Sequence, residues 1–171
     1  MKTVAYLRSS SDLQENSIDT QKYYADECAQ KGNLRITTYY KDESVSARKT
    51  QISERPDLSK LISEIESGVI ENLIVYKRDR LARNVHQYLQ AYEIIRTNGV
   101  NVYFSAPNEI PLQFSPAGEF FEVIMAGFNE REGNTIAERI RETKYSMAKK
   151  GLIPSGRPTF GYKASEKEKG K

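Results

Sequence analysis

The stretch Thr3-Val4-Ala5-Tyr6-Leu7-Arg8-Ser9-Ser10-Ser11-Asp12 joins a run of apolar and aromatic residues to a segment with three consecutive hydroxyls. Residues 3–8 predict a buried strand, and the serines follow at the point where that strand ends. Arg8 stands two residues before Ser10, so a candidate nucleophile lies beside a fixed positive charge. A hydroxyl among guanidinium groups indicates chemistry on a phosphate.

The same strand-then-helix pattern continues along the chain. Helices are predicted from Ile18 to about Lys31, from Pro56 to Gly68 and from Val85 to Thr97, each with a capping or terminating residue. Further strands are predicted over 34–40, 72–76 and 100–105, and residues 41–55 read as a long functional loop. Strands that alternate with helices in this way predict an α/β fold, with a mostly parallel sheet of about four to five strands flanked by helices.

Charged side chains follow two of these strands. Arg8 and the serines come directly after the first strand, and Asp79-Arg80 come shortly after the third. The carboxyl ends of parallel strands share one edge of a sheet, so we expect these groups to meet there. Arg80 and Arg83 are three residues apart and would face the same way on one helical turn. With Arg55, they complete a set of guanidiniums that could stabilise the charge developing on an attacked phosphate.

A single long helix is predicted after the sheet. Ser115-Pro116 supply a cap and a first-turn proline, and the helical pattern runs to about Lys150, roughly 50 Å at 1.5 Å per residue. Its first half is apolar on more than one face and is expected to pack on the sheet domain and a partner subunit, with the basic half projecting outward. We therefore divide the chain into an α/β domain (1–114), a long helix with a partner-facing apolar half and a basic half (115–150), and a linker or the start of a further domain (151–171).

Composition limits the possible classes of function. The chain of 171 residues is 38% hydrophobic and 29% charged, typical of a folded domain, and has no apolar run of membrane-spanning length. Its one cysteine, Cys28, excludes an internal disulfide, favours a reducing compartment and is expected on a buried helix face. Residues 131–171 carry 11 Lys and Arg against 5 Asp and Glu, which indicates contact with a polyanion at this end.

Other catalytic arrangements have little support. His86 is the only histidine, so neither a multi-histidine metal site nor a secure Ser-His-Asp triad can be built. No glycine-rich nucleotide-binding loop follows a strand. Asp42, Glu43 and Asp79 could form a metal-dependent nuclease, and the basic C-terminal half alone could serve a non-catalytic DNA-binding or regulatory module. Both alternatives stay open on the residues alone.

Several motifs resemble the catalytic domain of serine recombinases, the resolvase/invertase group, and occur in the order expected for it. They are Tyr6-Leu7-Arg8-Ser9-Ser10 with Gln14 and Gln21, Arg55-Pro56-Asp57-Leu58, and Tyr76-Lys77-Arg78-Asp79-Arg80-Leu81-Ala82-Arg83. The closing Gly156-Arg157-Pro158-Thr159-Phe160-Gly161-Tyr162 resembles the entry to the next domain of large serine recombinases, the phage integrases and transposon recombinases.

The resemblance implies site-specific DNA recombination. Ser10 would attack the DNA backbone, forming a 5′-phosphoserine link and freeing a 3′-hydroxyl. The catalytic set would be Ser10, Arg8, Arg55, Arg80, Arg83 and Asp79, supported by Tyr6, Gln14, Gln21 and Glu132. The residue after Glu132 is commonly arginine in the family, whereas this chain has Gly133. The DNA-contacting residues expected on the basic half are Arg139, Arg141, Lys144, Lys149, Lys150 and Arg157.

The resemblance also implies the partners. They are double-stranded DNA at a recombination site, a second copy in a dimer formed through the long helix, and a tetramer at synapsis. No metal and no cofactor are implied, because the phosphoserine bond conserves the energy of the broken strand. We expect no membrane contact and a cytoplasmic, bacterial or phage-encoded protein.

Overall fold

The computed structural model describes residues 1–9, 17–43, 54–82 and 84–152; for Glu132 and Gly133 it describes the backbone alone. Strands and helices alternate through most of the chain. The elements are β1 (Lys2–Arg8), α1 (Ile18–Lys31), β2 (Ile36–Asp42), α2 (Pro56–Glu66), β3 (Ile70–Val75), α3 (Arg78–Leu81), α4 (Val85–Thr97), β4 (Asn101–Phe104) and α5 (Pro116–Lys149).

The four strands form one parallel sheet in the order β2-β1-β3-β4. β1 is central: Ala5 pairs with Tyr39 of β2 on one side and with Ile74 of β3 on the other. Residues 4–7 are completely buried, as expected for a strand covered by helices on both faces. The predicted α/β fold with a mostly parallel sheet and a long C-terminal helix is confirmed.

The two faces of the sheet carry cores of different size. The larger core packs β1 and β3 against α2 and α4, and its fully or almost fully buried members include Leu58, Leu61 and Ile95. The smaller core places Ala25 and Ala29 of α1 against Ala5 and Ile74. Because these α1 residues are small, the helix backbone approaches the sheet closely, and little side-chain volume fills the space between them.

Local signals fix the helix ends near the site. The Ser17 hydroxyl accepts from the Thr20 N–H at 3.1 Å and caps α1, and the Asn84 side chain accepts from the His86 N–H at 2.9 Å and caps α4. Gly99, just after α4, has φ +64°, a conformation that glycine adopts without strain. These ends agree with the predicted bounds.

Three local predictions are wrong. β2 continues through Lys41 and Asp42, where a loop was expected, because Asp42 is drawn into buried hydrogen bonds. Arg78–Leu81 form the unpredicted helix α3, and Ala82 has extended backbone (φ −158°, ψ 151°), so the single helical turn considered for Arg80 and Arg83 is interrupted at Ala82. Cys28 is half-buried rather than buried.

The chain divides into two compact units, Met1–Glu130 and Arg131–Lys171. The first holds the sheet and the beginning of α5, where Phe120, Val123 and Phe128 are exposed. In the second, most described residues of α5 are exposed. The three-part division made from the sequence stays a prediction. None of the described helices is long and apolar enough to span a membrane.

Candidate active site

Arg8 lies at the carboxyl end of β1 and is completely buried. Its Nε donates to the Arg80 carbonyl and its Nη2 to the Asp79 carbonyl, both at 3.3 Å, and Nη2 lies 4.0 Å from Asp79 Oδ2. Arg80 returns the contact, since its Nη1 donates to the Arg8 carbonyl at 3.3 Å. The two arginines, 72 positions apart in the chain, therefore hold each other's backbone at the end of the sheet.

Gln21 of α1 fixes the same strand end from the other side. Its Oε1 accepts from the Arg8 N–H at 3.1 Å, and its Nε2 donates to the Arg8 carbonyl at 2.9 Å. The side chain is completely buried and satisfies both backbone groups of one residue, as a neighbouring strand would. The Ser9 N–H donates to the Asp42 carbonyl at 3.1 Å, which extends the β1–β2 pairing to the residue before Ser10.

A second buried cluster joins Tyr6, Asp42 and Arg55. The Tyr6 hydroxyl donates to Asp42 Oδ2 at 2.7 Å and accepts from Arg55 Nη2 at 2.5 Å. Arg55 Nη1 donates to the Leu81 carbonyl at 2.5 Å, Nη2 also donates to the Arg80 carbonyl at 2.7 Å, and Nε lies 3.8 Å from Asp42 Oδ2. Burial is the largest of the effects that raise the pKa of Tyr6, and the phenol is protonated at neutral pH.

Asp42 also anchors α2. Its Oδ1 accepts from the Asp57 N–H at 3.1 Å and its Oδ2 from the Leu58 N–H at 3.2 Å, at the positive end of the helix. The sequence singled out Asp42 only as a possible metal ligand. The carboxylate instead serves backbone donors, a phenol and a guanidinium, and no group of three or more His, Cys, Asp or Glu in the described ranges could hold a metal ion. This arrangement does not fit a metal-dependent nuclease built on Asp42.

Asp79 and Arg80 lie on α3, directly after β3 and a two-residue connection. Arg80 Nη2 lies 3.2 Å from Asp79 Oδ2, and Arg80 is 5% exposed, so this guanidinium lies at the edge of the buried cluster rather than in solvent. Both arginines, Arg8 and Arg80, thus have fixed positions beside one carboxylate. Positive charge held in place before the reaction is what a transition state with added negative charge requires.

The structure brings together six of the residues predicted for the site: Tyr6, Arg8, Gln21, Arg55, Asp79 and Arg80. Ser10, Gln14, Arg83 and Arg157 lie outside the described residues, as does the side chain of Glu132. Those expected to contact DNA within the described chain are exposed on α5 or just after it: Arg139, Arg141, Lys144, Lys149 and Lys150. The catalytic and DNA-contacting roles of all these residues stay predictions.

A further buried network surrounds Arg78, and the sequence analysis did not predict it. This arginine is 1% exposed and makes two 2.8 Å hydrogen bonds to Glu122 of α5, which is completely buried. Tyr88 donates to the same carboxylate at 2.6 Å. The signal that could have found it is an acid, Glu122, placed in the apolar half of α5.

The family model of the resolvase N-terminal domain matches residues 3–153. A protein of Bacillus subtilis (strain 168), named as a candidate DNA recombinase, is 29% identical over 161 residues, which is 92% of this chain but 30% of that protein. A DNA-invertase of Escherichia phage P1 is 32% identical over 108 residues, 63% of this chain and 56% of the invertase. The chain thus spans less than two thirds of these two relatives.

Among solved structures, the N-terminal catalytic domain of TP901-1 integrase superposes with a TM-score of 0.59 at 27% identity. The match covers 79% of this chain and 98% of that domain. A resolvase family site-specific recombinase from Streptococcus pneumoniae has a TM-score of 0.57 at 22% identity and shares the fold.

Proposed function

This chain belongs to the serine recombinases that carry the resolvase N-terminal domain, and on that premise we propose that it cleaves and rejoins DNA through Ser10. The Ser10 oxygen attacks the scissile phosphorus and forms a 5′-phosphoserine bond. The Ser10 hydroxyl loses its proton as it attacks. The bond from the phosphorus to the 3′-oxygen breaks, and this oxygen leaves with a proton as a 3′-hydroxyl. The reverse attack by a 3′-hydroxyl rejoins the strands without an outside energy source.

One observation carries this proposal. Arg8 and Arg80 interlock with Asp79 at the carboxyl end of β1, two residues before Ser10 in the chain. The guanidinium groups of Arg8 and Arg80 are already in place, so they need not reorganise as negative charge builds on the oxygens of a bound phosphodiester. Arginine is suited to this because it stays charged and its planar group matches phosphate oxygens.

Arg55 has a different part in the proposal. It is completely buried, and both of its terminal nitrogens are used by the Leu81 and Arg80 carbonyls and the Tyr6 hydroxyl. We assign it mainly to fixing the backbone of α3 and to adding positive potential. Arg8 is equally buried and two of its nitrogens bond main-chain carbonyls, so it too adds positive potential, and direct contact with the phosphate then falls to Arg80 and Arg83.

The wider assembly rests on α5. Its exposed apolar side chains Phe120, Val123, Ile124 and Phe128 suit burial against a second copy in a dimer, with tetramers at synapsis. Its exposed basic residues suit the phosphates of double-stranded DNA. The likeness to the N-terminal catalytic domain of TP901-1 integrase, with 98% of that domain covered, favours a catalytic domain of this kind.

The test is a covalent adduct. The complete reading frame that contains this chain would be incubated with DNA flanking its genetic element, nicked near the site to trap cleavage, and separated on a denaturing gel. We expect a protein–DNA adduct that Ser10→Ala abolishes and the neighbouring substitution Ser9→Ala retains.

Three outcomes would refute the proposal. An undiminished adduct with Ser10→Ala would refute the assignment of the nucleophile. DNA binding without cleavage under every condition would favour a non-catalytic module. Cleavage abolished by a chelator would favour a metal-dependent nuclease.

A further inference from the structure

The face of the sheet that carries the smaller core is only partly covered. Among the described residues, the helical members of that core come from α1, which packs on Ala5 of β1 and Ile74 of β3. Tyr103 of the edge strand β4 pairs with Ile74, so its side chain points to the same face, yet it is 36% exposed. The described residues therefore leave the surface beside α1 and over β4 open.

A groove with a volume of about 410 Å³ lies between α1 and the end of β4, and we call it the α1–β4 groove. It is lined by Tyr24, Glu27, Cys28 and Lys31 of α1 and by residues 104–107. The Phe104 ring belongs to the other face, where it packs on the larger core with its centroid 4.5 Å from Arg78 Cζ. The volume of the groove is within the range of sites that hold small organic molecules.

Ser105 supplies an unused polar group to this groove. Its Oγ is buried and has no hydrogen-bond partner among the described residues. A buried polar atom without a partner is unfavourable, and a hydroxyl can both donate and accept. A ligand with a hydrogen-bonding edge would satisfy this hydroxyl.

The charges at the rim of the groove favour an uncharged ligand. Lys31 Nζ and Glu27 Oε1 are 2.5 Å apart, and both residues line the groove. Because the two opposite charges offset each other, the rim attracts neither a phosphate nor an ammonium group strongly.

Two tyrosines provide an aromatic wall. The ring centroids of Tyr24 and Tyr76 are 5.5 Å apart, with an angle of 38° between the ring planes. Lys77 Nζ lies 5.6 Å from the Tyr76 centroid. Tyr24 lines the groove, so a planar ring that enters it can stack on this side chain. Aromatic side chains beside a basic residue are typical of surfaces that hold unpaired bases.

The groove lies at the same edge of the sheet as the candidate active site. It includes residues 105–107, which follow the carboxyl end of β4, whereas Arg8 lies at the carboxyl end of β1. β3 is the one strand between β1 and β4, and two strand spacings are roughly 10 Å. A DNA strand bound at the active site is therefore within reach of the groove.

We propose that the α1–β4 groove binds a single nucleobase, stacked on Tyr24 and hydrogen-bonded to Ser105. The base is either an unpaired one in DNA bound at the active site or that of a free nucleoside, and both offer the same uncharged ring. Every base has a π face for Tyr24 and an edge with donors or acceptors for Ser105. The site goes beyond the proposed function, because it holds a base rather than the scissile phosphate and requires no cleavage.

The test uses Cys28 as a reporter, because its half-buried thiol lines the groove. The complete reading frame that contains this chain would be alkylated with iodoacetamide, and modification of the Cys28 peptide would be followed by mass spectrometry. The probes are thymidine, a single-stranded oligothymidylate and a strand of equal length with abasic sites throughout. We expect a base-containing probe to slow alkylation about 10-fold at a concentration of about ten times its Kd, and the abasic strand to leave the rate unchanged.

The two base-containing probes distinguish the sources of the base. Protection by thymidine would identify a free nucleoside as a sufficient ligand. Protection by oligothymidylate alone would identify a base held in a strand. Either result supports the proposal.

Two substitutions test the contacts. Tyr24→Leu removes the stacking surface and should weaken protection by about 5-fold or more. Ser105→Ala removes the hydrogen bond and should weaken protection by about 2-fold to 10-fold. Because Ser105 Oγ has no partner within the described ranges, Ser105→Ala should not lower the midpoint of urea unfolding without ligand. The matched control is Ser63→Ala, an exposed serine on α2 across the sheet, which should equal the parent in both assays.

Three results would overturn the proposal. They are equal protection by the abasic strand, no protection by either base-containing probe, and parent-like protection in Tyr24→Leu or Ser105→Ala. The assay requires no DNA cleavage, so an undiminished adduct with Ser10→Ala would count against the proposed function alone.

Discussion

Replacing Tyr6 by phenylalanine removes one hydroxyl from the buried cluster and keeps the ring. That hydroxyl bonds two charged groups, Asp42 and Arg55, and a hydrogen bond to a charged group contributes about 1.5–3 kcal/mol. Its removal also recovers the cost of burying it, about 1–3 kcal/mol on protein mutational data. Asp42 Oδ2 keeps the Leu58 N–H and Arg55 Nη2 keeps the Arg80 carbonyl, so neither of these atoms loses its last hydrogen bond. We therefore expect a net loss of about 2 kcal/mol in the free energy of unfolding.

The assay is urea unfolding at pH 7 followed by circular dichroism, with a thermal scan beside it. For a chain of this size a loss of about 2 kcal/mol lowers the Tm by roughly 4–8 °C. The slope of the urea transition should not change, because both proteins expose the same surface. Tyr103→Phe is the control: Tyr103 is 36% exposed on β4, and no hydrogen bond of its hydroxyl is found within the described ranges. A Tyr6→Phe protein within about 0.5 kcal/mol of the parent would refute the reasoning.

The pH dependence provides a second check on the same residue. Burial raises the pKa of Tyr6 above its usual value of about 10, so the folded state keeps a proton that the unfolded state loses. The stability from this residue is thus fully present below about pH 10 and falls as the pH rises toward the folded value. The parent should lose about 1.4 kcal/mol more per pH unit than Tyr6→Phe in that range. Equal slopes for the two proteins would contradict the buried, protonated phenol.

Three further predictions concern the site and the start of α5. Gln21→Ala should lower the free energy of unfolding by about 1–3 kcal/mol and slow cleavage, because the Arg8 N–H loses its Gln21 acceptor and the Arg8 carbonyl loses the shorter of its hydrogen bonds from Gln21 and Arg80. Urea unfolding and the adduct assay measure these effects, and an unchanged adduct rate would argue against Gln21 as a support for Arg8. Arg83→Ala should keep DNA affinity in a gel-shift assay while cleavage collapses, since the arginine is proposed to act in the transition state; equal losses of both would contradict it. Gly118→Ala should destabilise the fold by about 1–3 kcal/mol, because a Cβ there would lie 2.5 Å from Gln113 Cβ and 2.9 Å from the Gln113 carbonyl oxygen; a thermal scan measures it, and a Tm equal to that of the parent would show that this turn can yield.

Elements with local signals were predictable from the sequence. The bounds of α1 and α4 follow from Ser17 and Asn84 as caps and from the turn residues that end each helix. The meeting of Arg8 with Asp79-Arg80 followed from one topological rule, that the carboxyl ends of parallel strands share an edge. That rule needs strand positions only to within a few residues, so small errors in strand bounds did not affect it.

Features that depend on distant partners were not predictable. Lys41-Asp42 reads as the start of a polar loop, yet Asp42 is buried because Tyr6, Arg55 and the first turn of α2 surround its carboxylate. Arg78 is buried because an acid 44 positions later, Glu122, accepts hydrogen bonds from two of its nitrogens. Most of the acceptors that hold Arg8 and Arg55 are main-chain carbonyls. Every residue type carries a main-chain carbonyl, so the pattern of side chains does not indicate which of them will accept.

The central position of β1 affects how the sheet folds during synthesis and where the domain can be divided into fragments. β1 is the first strand to be translated, but its neighbours begin only at Ile36 and Ile70. A nascent or truncated chain that ends before Ile70 leaves unpaired one edge of a strand whose residues 4–7 are apolar or aromatic, and such edges template aggregation. Folding of the sheet must therefore wait for non-local partners, which favours slow folding. Split or fragment versions of the domain should be divided after Val75, where β1 already has both neighbours.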